Sequence, residues 1–127
     1  MNPDTARDYV YVDDVSDAYV LAASRHVAES GAVFNAGTGI QTSLRQVVEI
    51  ARRVIGIHAE PSWDSMPNRK WDTAIWVADN AKIRRELGWR PRFTIEEGFR
   101  KTVGWFHQHP QLLKFYQKTL PAAASRS

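Results

Sequence analysis

Cysteine is absent from the 127 residues. Disulfides and thiolate metal sites are therefore excluded. Long apolar runs are absent too: none approaches the ~18 residues that a membrane-spanning helix needs. The opening residues, MNPDTARDY, lack the apolar core of a signal peptide. A cytoplasmic location is the expectation. No internal repeat and no linker to a second domain can be picked out. Histidine is sparse, and His26, His58, His107 and His109 show no metal-ligand spacing. His107 and His109 stand two apart and so point in different directions on a helix. All four read as surface residues, and no metal is expected.

What is present suits one domain, or part of one, over residues 1–127. Apolar residues make up 43% and aromatic residues 11%, enough for a modest core and too much for a disordered chain. The net charge is +3. Lys82, Arg84, Arg85, Arg90, Arg92, Arg100 and Lys101 crowd one region, which raises nucleic acid or phosphate as a partner. Glu86, Glu96 and Glu97 break the run, and no nucleic-acid motif accompanies it. The cations read as the solvated side of two helices.

The stretch 69–99, RKWDTAIWVADNAKIRRELGWRPRFTIEEGF, carries ordered local signals. Thr73 to Val77 suits a short strand. Asp79 stands at a helix N-cap, where its carboxylate can accept from an orphan N–H. Ile83 and Leu87, at i and i+4, give that helix an apolar face. Gly88 suits its left-handed end, and Pro91 follows where a helix cannot continue. Thr94 and Glu97 form a capping box that opens a long helix from about Ile95 to Gln108.

Upstream, residues 1–6 read as loose and Arg7 to Val12 as an extended run. Asp13-Asp14 closes that run and caps a helix from about Val15, with Ala18, Leu21 and Ala22 as its stripe and Tyr19 and Val27 extending it. A capping role for one of these aspartates outweighs acid/base chemistry. Ala32 to Ala36 reads as a strand and Gly37-Thr38-Gly39 as a tight turn. Thr42 or Ser43 caps a helix through Leu44, Val47, Val48, Ala51 and Ile55, which Gly56 ends. His58 to Trp63 reads as a short strand and Asp64 to Lys70 as a loop. Phe99, Val103, Trp105 and Phe106 share helical spacing and read as core. Pro110 can start a further turn through Tyr116, and the tail 119–127 reads as disordered. The expected fold is α/β, with short strands and three or four helices packed on them.

The turn Gly37-x-Gly39-x-x-Thr42 follows a strand and precedes a helix, which invites a dinucleotide-fingerprint reading. Its third glycine is missing, and no strand with an acidic end stands at the expected distance. The glycines are better read as serving a tight turn.

Three ordered segments resemble one family. D-N-A-K-I-R-R-E-L-G-W-R-P, R-D-Y-V-Y-V-D-D-V and F-N-A-G-T-G are similar to the C-terminal part of the NAD-dependent epimerase/dehydratases. These are the extended short-chain dehydrogenases acting on nucleotide sugars. The resemblance covers residues 7–107. It implies the substrate-binding portion of such an enzyme, with the Rossmann cofactor half missing. It also implies an arginine on the diphosphate at Arg7 and at Arg69, whose guanidinium groups suit paired, charge-assisted bonds to phosphate oxygens. Asn35 faces the nucleotide in this reading, and Asp72 matches the acid of the family's R-x-x-D. Trp71 stands where a glycine is common.

The resembling enzymes also need G-x-x-G-x-x-G for NAD and a tyrosine–lysine pair spaced Y-x-x-x-K. Four residues after Tyr9, Tyr11, Tyr19 and Tyr116 stand Asp13, Val15, Ala23 and Leu120, so the second motif is absent. No catalytic residue is therefore assigned, and the chain alone is expected to bind no NAD. The function implied is binding of a nucleoside diphosphate sugar within a 4-epimerase or 4,6-dehydratase. Its expected partner is the missing cofactor half or a second copy. The alternatives are a non-catalytic nucleotide-binding module and an inactive truncated fragment.

Overall fold

A computed structural model of the protein describes residues 2–63 and 76–119. Its elements run β1 (Ala6–Asp8), α1 (Val12–Ser24), β2 (Gln41–Ser43), α2 (Leu44–Ile55), α3 (Ala81–Leu87), α4 (Ile95–Gln108) and α5 (Pro110–Thr119). β1 and β2 pair antiparallel, with Ala6 opposite Ser43 and Arg7 opposite Thr42. The fold is α/β, a small two-stranded sheet carried among helices.

The centre of the fold lies between α1 and the α3 segment. Ala18, Ile83, Leu87 and Trp89 form the buried cluster, with Val10, Leu21, Val27 and Phe34 packed against it. Ile83 and Leu87 meet there because four residues make about one helical turn. Gly88 ends α3 at φ +66°, a left-handed conformation that glycine adopts without a side-chain penalty. That turn sends Trp89 back into the core, where its Nε1 donates to the carbonyl of Asp14 at 2.8 Å.

Asp14 is fully buried. Its carboxylate accepts from the N–H groups of Arg92 and Phe93, each at 3.1 Å, and from Arg92 Nε at 3.3 Å. One aspartate thus fixes α1 to the strand-like entry of α4. The expected capping role is corrected here. α1 begins at Val12 with Tyr11 at the N-cap and no side-chain cap bond, so both aspartates lie in its first turn. Asp14 is committed to Arg92 and Phe93, and Asp13 lies 3.6 Å from Lys101 Nζ.

The Thr94–Glu97 capping box forms at the start of α4 as its spacing predicts; of the two candidate caps for α2, Ser43 takes the position and exchanges bonds with Gln46 in a second box. Asp79 accepts from the N–H of Ala81 at 2.9 Å, while Asn80 takes the N-cap position of α3. α2 and α4 pack on each other, and Arg53 reaches Glu96 at 2.5 Å across them. Gly98 sits where Tyr11 crosses α4. A Cβ there would come within 2.8 Å of the Tyr11 ring, so the crossing needs a glycine.

Several expectations change. Residues 2–6 are tied down, because the N–H groups of Leu44 and Arg45 donate to the carbonyls of Thr5 and Pro3 at 2.8 and 2.9 Å. Those two donors are unsatisfied inside α2 itself, and the arriving chain meets them. Of the first extended run only Arg7 and Asp8 pair as strand, joined by Ala6 before them. Residues 32–36 and 58–63 are not strands, since no ladder partner lies beside them among the described residues. Tyr19 is 75% exposed and Trp105 43%, so neither is core. Trp105 instead stacks on His109, with ring centroids 4.4 Å apart. Thr73 to Ile75, the loop at 64–70, and the tail beyond Thr119 lie outside the described residues.

Candidate functional site

The site is built on β1. Arg7 and Asp8 are neighbours in a strand, so their side chains leave on opposite faces. Arg7 is half-buried; its Nη1 donates to the Ala6 carbonyl at 2.7 Å, and its guanidinium carbon lies 5.2 Å from the centre of the Trp76 ring.

Asp8 goes the other way, into the Gly37-Thr38-Gly39 turn. One carboxylate oxygen accepts from the Thr38 N–H at 2.8 Å and the Thr38 hydroxyl at 2.5 Å. The other accepts from the Gly39 N–H at 2.9 Å and the Ala78 N–H at 3.1 Å. The Asn80 side chain closes the arrangement by donating to the Gly37 carbonyl at 3.1 Å. Three separate segments, β1, the turn and residues 76–80, therefore meet on one carboxylate.

Both glycines are required by this geometry. Gly39 has φ +76°. A Cβ on Gly37 would stand 2.5 Å from the Ala78 Cβ and 2.6 Å from an Asp8 carboxylate oxygen. Burial pushes the Asp8 carboxyl up, and its bonds from Thr38, Gly39 and Ala78 more than offset that, holding it below the usual carboxylate range.

The turn is thus not a cradle for a dinucleotide. The N–H groups of Thr38 and Gly39 that would meet a pyrophosphate already meet Asp8. The space above Gly37 is filled by Asp8 and Ala78. The residues present do not fit NAD at this turn.

Beside the turn lies a cleft of about 330 Å³, lined by Asp8, Asn35, Trp76 and Asp79 among others. Asn35 is exposed there, and Trp76, over which Arg7 lies, is 56% exposed. The structure therefore brings Asn35 and Asp8 to one cleft and connects Arg7 to it through Trp76. Arg69 and Asp72, like Trp71, lie outside the described residues. Sequence reasoning missed Asp8. The available signal was a glycine turn whose N–H groups need an acceptor, with an aspartate in the strand that precedes it in the chain. Among the described residues no group of three or more His, Asp or Glu side chains could hold a metal ion, and no helix is long and apolar enough to cross a membrane.

Comparison with known proteins gives the frame for this site. The family model described as GDP-mannose 4,6 dehydratase matches residues 2–102. A UDP-glucose 4-epimerase of Mycolicibacterium smegmatis is 40% identical over 105 residues, which are 83% of this chain and 32% of that protein. Among solved structures, the UDP-glucose 4-epimerase of Thermotoga maritima with UDP-glucose superposes with a TM-score of 0.74 at 36% identity. That match covers 87% of this chain and 34% of the other. The Bordetella bronchiseptica enzyme WbmF in complex with NAD+ and UDP gives a TM-score of 0.71 at 27% identity, covering 89% and 32%. The chain spans about a third of the length of these relatives. It belongs to the family described as GDP-mannose 4,6 dehydratase, that of the NAD-dependent nucleotide-sugar epimerases and dehydratases.

Proposed function

We propose that the chain is the nucleotide-sugar-binding part of a 4-epimerase or 4,6-dehydratase. Arg7 and Arg69 hold the diphosphate, Asn35 meets the nucleotide, and Asp72 fixes the nucleotide end. The observation that carries this reading is the cleft beside Asp8. It gathers Asn35 and Trp76 next to the strand that bears Arg7. Guanidinium groups suit diphosphate oxygens because two parallel N–H donors match two oxygens.

NAD belongs to the cofactor half of such enzymes, and among the described residues the glycine turn, filled by Asp8 and Ala78, offers no site for it. The chemistry of the family needs a tyrosine–lysine pair that is absent here, so the chain alone turns over no substrate. Its partner is a cofactor-binding half or a second copy. Tyr19, Val20 and Val33, at 75%, 65% and 79% exposed, are the surface that such a partner would bury. The setting is cytoplasmic.

Calorimetric titration with UDP, GDP and NADH tests the reading. A nucleoside diphosphate is expected to bind while NADH does not. Micromolar affinity for NADH, with no nucleoside diphosphate bound, would overturn it.

A further inference from the structure

We propose that Asp8 is the positioning residue of this site, fixing Arg7, the Asn35 turn and the Trp76 segment relative to one another. In its bearing on ligand affinity, the inference rests on the nucleotide-sugar reading above.

The three parts are far apart in the chain. Arg7 precedes Asp8 directly, Asn35 stands 27 residues later, and Trp76 a further 41. The β1–β2 ladder ties Asp8 to Gln41, and not to residues 35–39 or 76–80. Residues 35–39 and 76–80 are in neither helix nor strand, so no regular ladder sets their placement. The carboxylate does: it takes the Thr38 and Gly39 N–H groups of the turn, the Thr38 hydroxyl, and the Ala78 N–H two residues after Trp76. All of these bonds come from donors, so the acceptor must present two oxygens and no hydrogen. An ionised aspartate does this, whereas asparagine would aim an NH₂ at N–H groups.

Asp8 does not itself contact the ligand in this account. It sets where Asn35 and Trp76 stand relative to Arg7. Two variants break the arrangement by different routes. Asp8→Asn removes an acceptor. Gly37→Ala leaves the charge in place and pushes a methyl into the space of the carboxylate and of Ala78. Thr94→Ala, which removes the α4 cap and takes away none of the donors to the Asp8 carboxylate, serves as a destabilised control.

The test measures UDP affinity by calorimetry in the four proteins. In the ligand-free proteins it also records amide hydrogen exchange at Thr38, Gly39 and Ala78, with helical circular dichroism as the check of folding. Asp8→Asn and Gly37→Ala are expected to weaken UDP at least tenfold with helix content kept, and Thr94→Ala to leave affinity unchanged. Wild-type affinity in both site variants would overturn the proposal, as would losses in all three that simply follow stability. If Asp8→Asn fails to fold, Gly37→Ala decides. If the wild-type chain binds no UDP, the nucleotide reading fails, and Asp8 is judged on the ligand-free arm. Joint loss of protection at the three amides in Asp8→Asn then upholds its positioning role, and unchanged protection overturns it.

Discussion

At the scale of single residues, two aspartates do most to hold the chain in shape, and they do so differently. Asp14 is buried and meets backbone N–H groups of Arg92 and Phe93 as well as the Arg92 guanidinium. Removing it strands part-buried donors, a class of change that costs more than the bond itself is worth. Asp14→Ala is expected to lose about 3 kcal/mol, near the lower end for breaking a buried charge pair. Urea unfolding measures this, and a loss below about 1 kcal/mol would place the aspartate among ordinary surface groups. Asp8 is half-buried and its carboxyl is held below its ordinary value. A depressed carboxyl contributes stability above its unfolded-state pKa, and that contribution fades as pH falls through the folded-state value. Among the described residues, Asp79 also lines the cleft, and Arg7 lies over its Trp76. An acid titration followed by the Gly39 amide is therefore expected to move only at pH values below the usual carboxylate range. A midpoint within that range would contradict the bonding described.

At the scale of elements, local chemistry was the most legible part of the chain. The Thr94–Glu97 capping box, the helix-ending glycines at 56 and 88, and the Ile83–Leu87 face could be read from spacing, as could a cap at Thr42 or Ser43, because each depends on residues within about one turn. Ser43→Ala and Thr94→Ala are each expected to cost about 1 kcal/mol in thermal or urea unfolding. A cost near zero for both would show that packing between α2 and α4 holds those ends without the caps. What could not be read was whatever depends on distant partners. Residues 32–36 have strand composition, yet no ladder partner stands beside them among the described residues. Asp13-Asp14 has cap composition, but Asp14 spends its carboxylate 78 residues away in sequence. The candidate site divides in the same way. Arg7 and Asn35 were reachable through motif resemblance, while Asp8 was missed because its donors come from residues 38, 39 and 78.

At the scale of the whole molecule, burial is uneven. The Ala18, Ile83, Leu87 and Trp89 cluster is closed, whereas Tyr19, Val20, Val33 and Ile40 are largely exposed. A small core leaves little stability in reserve, and exposed apolar surface drives association. The purified chain is expected to self-associate with rising concentration, as sedimentation velocity would show. Hydrogen exchange is expected to concentrate protection between Ile83 and Phe106 and to leave Tyr9 to Val12 weaker. A concentration-independent monomer with uniform protection would mean that the chain needs no covering partner.

The central claim is that this chain carries the diphosphate-binding arginines of a nucleotide-sugar enzyme. It is tested most directly by the dissociation constant for UDP, measured by calorimetry in the wild-type chain, in Arg7→Ala and in Arg69→Ala. Each substitution is expected to weaken binding by about 1.5–3 kcal/mol, the scale of a hydrogen bond to a charged group. UDP binding that is equally tight in all three proteins would contradict the account.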